Sequence, residues 1–187
     1  MTVAPSVRRA RPADAEAIAR INVAAWRDSY AHVLPAAYLL GLSETIGTNK
    51  WRIRLSYYAH QSATFVAELP RHGVVGYGSC GAHRSRLPHG MDGEFFELYV
   101  DPAVQGHQVG RRLLAAMADH LVKRSMHSAC VWVLRDNPAR WFYQHLGGRL
   151  SAEATIRFAG KPLAQVAYCW PDLASLDRLA RSLGDRA

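Results

Sequence analysis

The stretch EFFELYVDPAVQGHQVGRRLL (residues 94–114) holds a strand signal, a loop with Gly106 and Gly110, and the start of a helix. Residues Glu94–Val100 are rich in aromatic and β-branched side chains, as strands are. Alternation along that strand puts Glu97 and Tyr99 on one face and Phe96 and Leu98 on the other. Beyond the loop, Val109–Arg124 repeats apolar residues at Leu113, Leu114, Met117, Leu121 and Val122, the spacing of an amphipathic helix. The first N–H groups of such a helix have no intrahelical acceptor, and its dipole adds partial positive charge, so a loop of this kind can seat an anion. Arg111 and Arg112 add charge at the same turn. Gln108 stands where many such loops have another glycine, and its main-chain N–H serves equally well if its φ is negative and its side chain points outward. Taken alone, the segment is equally an ordinary strand-to-helix turn. No GK[ST] follows, and the glycine spacing is not that of a dinucleotide fingerprint.

The bounds around this stretch are those of one globular domain, residues 1–187. Hydrophobic residues make up 49% and charged residues 20%, which excludes a disordered chain. No apolar run approaches the roughly 20 residues of a membrane span, and no apolar stretch follows the basic residues of MTVAPSVRRARPADAEA, so neither a membrane partner nor a secretory signal is expected. Cys80, Cys130 and Cys169 lie far apart among apolar neighbours and read as reduced thiols in strands, consistent with a cytoplasmic protein. The formal charge is +8, but the arginines are scattered, so nucleic acid is not the expected partner.

Along the chain, Val7–Arg11 reads as a short strand. Pro12 and Asp14 open a helix to about Arg27, Pro35 begins a short helical turn ending at Gly41, and Ser43 caps a helix with Ile46, Trp51, Ile53 and Leu55 as its apolar positions. Thr64–Leu69 and Val74–Ala82 form a hairpin through Arg71-His72-Gly73. Ala129–Leu134 is a buried strand, Pro138–Leu146 a short helix stopped by Gly147-Gly148, Leu163–Trp170 a last strand, and Asp172–Ser182 a polar tail helix. The class is mixed α and β.

A second stretch, VWVLRDNPARWFYQHLGG (residues 131–148), adds a strand, an Asn-Pro turn, an aromatic helix and a double glycine. Together the two stretches resemble the GCN5-related N-acetyltransferases. The first signature of that family is matched by Leu98-Tyr99-Val100-Asp101-Pro102, Gln105-Gly106-His107-Gln108-Val109-Gly110 and Leu113-Leu114. The second is matched by Asn137, Phe142-Tyr143 and Leu146-Gly147. Residues 64–148 carry the resemblance, and AWRDSYAHVLPAAYLLGL and AGKPLAQVAYCWPDL extend it toward a bacterial subgroup similar to PaiA-type polyamine acetyltransferases. Gln108 in place of the middle glycine and a six-residue Asn137-to-Tyr143 interval depart from the family pattern.

The resemblance implies a central, mostly antiparallel, twisted sheet of six to seven strands flanked by helices and splayed between the fourth and fifth. It implies acetyl transfer from acetyl-CoA to a primary amine, without a metal. Backbone of Leu98, Tyr99 and Val100 would pair with the pantetheine arm, and N–H groups of Gln105, Gly106, His107, Gln108, Val109, Gly110 and Arg111 would hold the pyrophosphate. Asn137 would contact the arm. Tyr143 would protonate the leaving thiolate, and Glu97 would take the proton of the ammonium, directly or through water. Asp92 and Glu94 would add acidity to the amine site, and Trp26, Tyr30, Tyr38 and Trp51 are candidates for the acceptor wall. The acceptor itself is open, from a small molecule to a peptide amine, and a homodimer is left open. The alternative is an acyl-CoA-binding regulatory or sensing domain without turnover. A nucleophile elbow at Ser79-Cys80 fails because position 77 is tyrosine.

Overall fold

The computed structural model describes residues 4–85, 87–104 and 107–176. Apolar runs become strands and capped, period-3.6 segments become helices, in the order β1 (Ser6–Arg9), α1 (Ala15–Ser29), α2 (Ala36–Leu40), α3 (Glu44–Tyr57), β2 (Ala63–Leu69), β3 (Gly73–Ala82), β4 (Gly93–Val100), α4 (Val109–Lys123), β5 (Ala129–Leu134), α5 (Ala139–His145), β6 (Arg149–Phe158) and β7 (Lys161–Trp170). The strands form one seven-stranded sheet in the order β1-β2-β3-β4-β5-β7-β6. All neighbours are antiparallel except β4 and β5. A parallel pair needs a crossover, and α4 supplies it.

Helices cover both faces of the sheet. On one, α4 lays Val109, Leu113, Leu114, Met117 and Leu121 into the core. It comes so close to β3 that a Cβ on Gly76 would lie 2.8 Å from Val109 Cγ1 and one on Gly78 2.9 Å from Met117 Sδ. On the other face, Ile18 and Ile21 of α1 and Trp51 of α3 close over Val66 and Tyr77. Ser43 caps α3, its Oγ accepting from Ile46 N at 3.3 Å. Of its apolar positions only Trp51 is buried, while Ile46 and Ile53 are 57% and 52% exposed.

Two irregularities position the site. The first is the parting of β4 from β5. Their register holds at Gly93↔Ala129, Glu94↔Cys130 and Phe95↔Val131 and then stops, while β4 stays paired with β3 to Val100 and β5 with β7 to Leu134. The closed end is tied by Asp92, whose Oδ2 accepts from the N–H groups of His127 (2.9 Å) and Ser128 (3.1 Å). Those bonds, His127 first, hold the Asp92 carboxyl below the usual carboxylate range. The second is a β-bulge. The β3 register passes from Ser79↔Glu97 to Cys80↔Phe95, leaving Phe96 as the extra residue. The bulge breaks the alternation expected of this strand: Phe96 does not share a face with Leu98. Its ring covers Gly81 on the Tyr77 and Ser79 side, and the Arg84 guanidinium lies 3.6 Å above its centroid.

The expected strands and helices are present to within a few residues. β6 is the element not anticipated, an edge strand whose side chains are half-exposed or exposed along its whole length. Of the expected tail helix, residues 173–176 are helical and 177–182 lie outside the described residues.

Gly148 marks where α5 meets β7. A Cβ there would lie 2.8 Å from Trp170 Cζ2 and 2.9 Å from the Tyr143 carbonyl oxygen, and a backbone atom cannot yield cheaply. Gly148→Ala is expected to destabilise the fold by about 1–3 kcal/mol, read as a lower denaturant midpoint with an unchanged slope.

Candidate active site

The parting of β4 and β5 opens a cleft of about 610 Å³ that passes through the sheet. Unpaired edges of Phe96–Val100 and Trp132–Leu134 form its sides. The first turn of α4, with Phe142 and Tyr143 of α5, lines one face, and Trp26 and Ser29 of α1 and its C-cap Tyr30, with Ile156, Phe158, Leu163 and Gln165 of the β6–β7 hairpin, line the other. A volume of this size suits a small-molecule site.

At the α4 end, Gln108 is the N-cap and has φ 59° and ψ 14°, the left-handed region. The condition of a negative φ, set above for its N–H to serve as a glycine's would, is not met. The turn from β4 into α4 needs a left-handed residue at the very position where the family loop carries glycine, and glutamine adopts it at a cost of about 1–2 kcal/mol. The first intrahelical bond runs from Arg112 N to Gln108 O (3.0 Å), so the N–H groups of Val109, Gly110 and Arg111 lead the helix with no intrahelical acceptor. No acidic residue stands in that turn. These groups and Gln108 line the cleft, His107 is exposed, and Gln105 and Gly106 lie outside the described residues.

Tyr143 is 6% exposed, wedged edge-on between Phe142 (5.3 Å) and Trp170 (6.2 Å). Burial, helped by the nearby Tyr30, pushes its phenol well above the ordinary tyrosine value, so it is protonated at neutral pH. Asn137 is used at both ends of its amide. Its Oδ1 accepts from Ala139 N (2.8 Å) at the start of α5, and its Nδ2 donates to Tyr30 Oη (3.1 Å). It therefore bridges the two faces of the cleft as well as lining it.

Glu97 sits in a network that the sequence did not reveal. Its Oε1 accepts from Arg54 Nη1 (2.7 Å) and its Oε2 from Tyr77 Oη (3.1 Å), which in turn accepts from Asn22 Nδ2 (2.7 Å). Arg54 also donates to Ser79 Oγ (3.1 Å) and lies 4.5 Å over the Trp51 ring. Each carboxylate oxygen keeps a lone pair for another donor. Tyr99 shares this face, 5.7 Å from Tyr77, and burial raises its phenol well above the usual value, with Tyr30 and Tyr77 adding to the effect. Trp51 belongs to this support and does not line the cleft; Tyr38 backs Trp26 from behind.

The expected acidity of Asp92 and Glu94 at the amine site is corrected. Asp92 is engaged by the backbone at the closed end. Glu94 is buried and accepts from Arg84 Nη2 (2.9 Å) and Arg84 N (3.1 Å). Ser79 is held by Arg54, and burial pushes the Cys80 thiol up to about 12, so neither is an activated nucleophile. The wall residues Ile156 and Phe158 were missed with their strand. The signal was the Ala159-Gly160 turn, where both residues have positive φ, as in a type I′ hairpin.

A family model described as an acetyltransferase (GNAT) domain matches residues 60–147. An uncharacterized N-acetyltransferase of Bacillus subtilis (strain 168), YuaI, is 34% identical over 174 residues, 93% of this chain and 97% of that one. The chain belongs to the GNAT family of N-acetyltransferases. YncA of Salmonella typhimurium, solved with its cofactor acetyl-CoA, shares 23% identity with a TM-score of 0.65, over 91% of this chain and 95% of that one. PaiA N-acetyltransferase of Thermoplasma acidophilum, in complex with coenzyme A, shares 14% identity with a TM-score of 0.62, over 88% of this chain and 98% of that one. Likeness to PaiA is thus likeness of fold.

Gln108 offers a direct check on the loop. Gln108→Gly should raise thermal stability by up to about 1 kcal/mol and leave acetyl-CoA affinity within a few-fold, whereas Gln108→Val, β-branched in a left-handed position, should lower both. Calorimetric titration and thermal melts of the two variants read these outcomes.

Proposed function

We propose that the protein transfers an acetyl group from acetyl-CoA directly to a primary amine, with Tyr143 as general acid and Glu97 as the proton acceptor for the amine. The observation that carries this reading is the placement of a buried, protonated Tyr143 on the cleft into which the unpaired edge of β4 also opens. The edge of Phe96–Val100 has the alternating N–H and C=O groups that a pantetheine arm with two amides would pair with, as a strand pairs. The N–H groups of Val109, Gly110 and Arg111, which have no intrahelical acceptor, suit a pyrophosphate. Gln105, Gly106 and His107 complete the proposed loop, and Asn137 orients α5 against Tyr30 at the arm's side.

The chemistry asks three things of the chain. Charge that develops on the thioester carbonyl oxygen needs a fixed donor, and a β4 N–H beyond the bulge supplies one. The amine must be neutral to attack, and Glu97 takes its proton, directly or through water. As the C–N bond forms and the C–S bond breaks, the leaving thiolate takes the Tyr143 proton, and the second proton shed by the nitrogen restores the phenol by way of solvent. The products are an amide and free coenzyme A.

Tyr143→Phe keeps the ring packing and removes only the hydroxyl. It should lower kcat by about 10²–10⁴-fold with acetyl-CoA affinity nearly unchanged, because the lost interaction belongs to the transition state. A kcat that survives this change sinks the assignment. Because the folded pKa of Tyr143 is raised, its proton stays on through the ordinary tyrosine range near pH 10, so kcat should show no loss of the acid below that pH. Glu97→Gln should reduce kcat/KM most at low pH and recover as pH approaches the amine's own pKa, read from a pH–rate profile.

A further inference from the structure

The wall of the cleft on the α1 side says what kind of amine fits. Trp26, Tyr30, Leu34, Ile156, Phe158 and Leu163 build most of it, with Ser29 and Gln165 as its uncharged polar members. Trp26 is the hub, with its ring 5.1 Å from Tyr30 and 5.7 Å from Phe158. Ile156 pairs across the hairpin with Leu163, and the two share a face with Phe158, so β6 and β7 present a continuous apolar strip.

Charge is scarce there. Among the described residues that line the cleft, Glu97 is the one carboxylate and Arg111 the one cation. The Glu97 charge is already met by Arg54 at 2.7 Å. Glu94 of β4 and Asp92 just before it are engaged by Arg84 and by backbone N–H groups. A chain with several ammonium groups would have to leave the distal ones against rings and aliphatic carbons, without counter-charges, and desolvating an unpaired charge is costly. An aromatic or aliphatic body is favoured by the same surface.

We infer that the acceptor is a monocationic primary amine on an apolar or aromatic body, seated against Trp26, Phe158 and Leu163, and that polyamines are poor acceptors. This rests on the acetyl-transfer reading and names the substrate class for it. The single ammonium lies toward Glu97 and the apolar body fills the α1 side.

The test is thiol release from acetyl-CoA with 2-phenylethylamine, hexylamine, putrescine and spermidine. The first two should exceed spermidine and putrescine in kcat/KM by at least about tenfold, a margin that apolar contacts of this size can supply. A smaller margin or a reversed order overturns the inference. Phe158→Asp adds a carboxylate to the wall and should narrow or invert the ranking while acetyl-CoA affinity holds; an unchanged ranking overturns the placement of the amine. If no amine releases thiol, the acetyl-transfer reading fails, and calorimetric titration of the same amines into the coenzyme A-saturated protein still decides this one: spermidine binding as tightly as 2-phenylethylamine overturns it.

Discussion

Everything at the candidate site follows from where two parallel strands stop pairing. Three rungs hold β4 to β5, and beyond Phe95 both strands keep their outer partners and lose each other. Backbone groups left without partners are costly unless something pairs with them. Here the unpaired edges face a cleft, so the cost is itself a recognition surface. Parallel pairing makes both strands open in the same direction, and the crossover helix brings its N-terminus to that open end. Ligand sites of open sheets arise at such places for the same geometric reason.

Around the gap, polar groups are committed mainly to one another. Arg54, Glu97, Tyr77 and Asn22 form one chain of bonds across α3, β4, β3 and α1, and Asn137 ties α5 to Tyr30 of α1. These contacts link helices from opposite faces to the strands they cover. Half-buried networks of this kind fix one arrangement among several that apolar packing alone would permit. The site therefore has little free charge, and aromatic and aliphatic surface makes up most of its α1 side.

Much of the fold was legible because local and global signals agreed. Val109–Lys123 has its apolar stripe, Ser43 its capping hydroxyl, and Ala129–Leu134 its uninterrupted apolar run, and each is the element it resembles. β6 was not legible because an edge strand with one partner buries little, so polar Arg149, Glu153 and Arg157 interrupt the pattern. The bulge at Phe96 leaves no mark in the sequence, since it depends on the partner's register. Of the site, Tyr143 and the α4 turn were visible through the resemblance, and the structure brings both to the cleft. Arg54 and Tyr77 were not, for ion pairs between residues 43 and hydroxyl contacts 20 positions apart have no sequence period. The sign of φ at Gln108 was left open, because a left-handed glutamine looks like any other in sequence.

The last rung of the parted strands has a mechanical consequence. Phe95 packs its ring on Trp170 (5.7 Å), Trp170 packs on Tyr143, and the Trp170 indole N–H donates to Leu146 O (2.8 Å) at the end of α5. The pivot of the fork and the phenol are thus joined by one rigid stack of rings. In any hinge, displacement grows with distance from the pivot. Widening of the fork would sweep Val100 and Leu134 furthest and leave the Phe95–Trp170–Tyr143 stack nearly still, so the bearing of the Tyr143 phenol is insulated from the width of the gap.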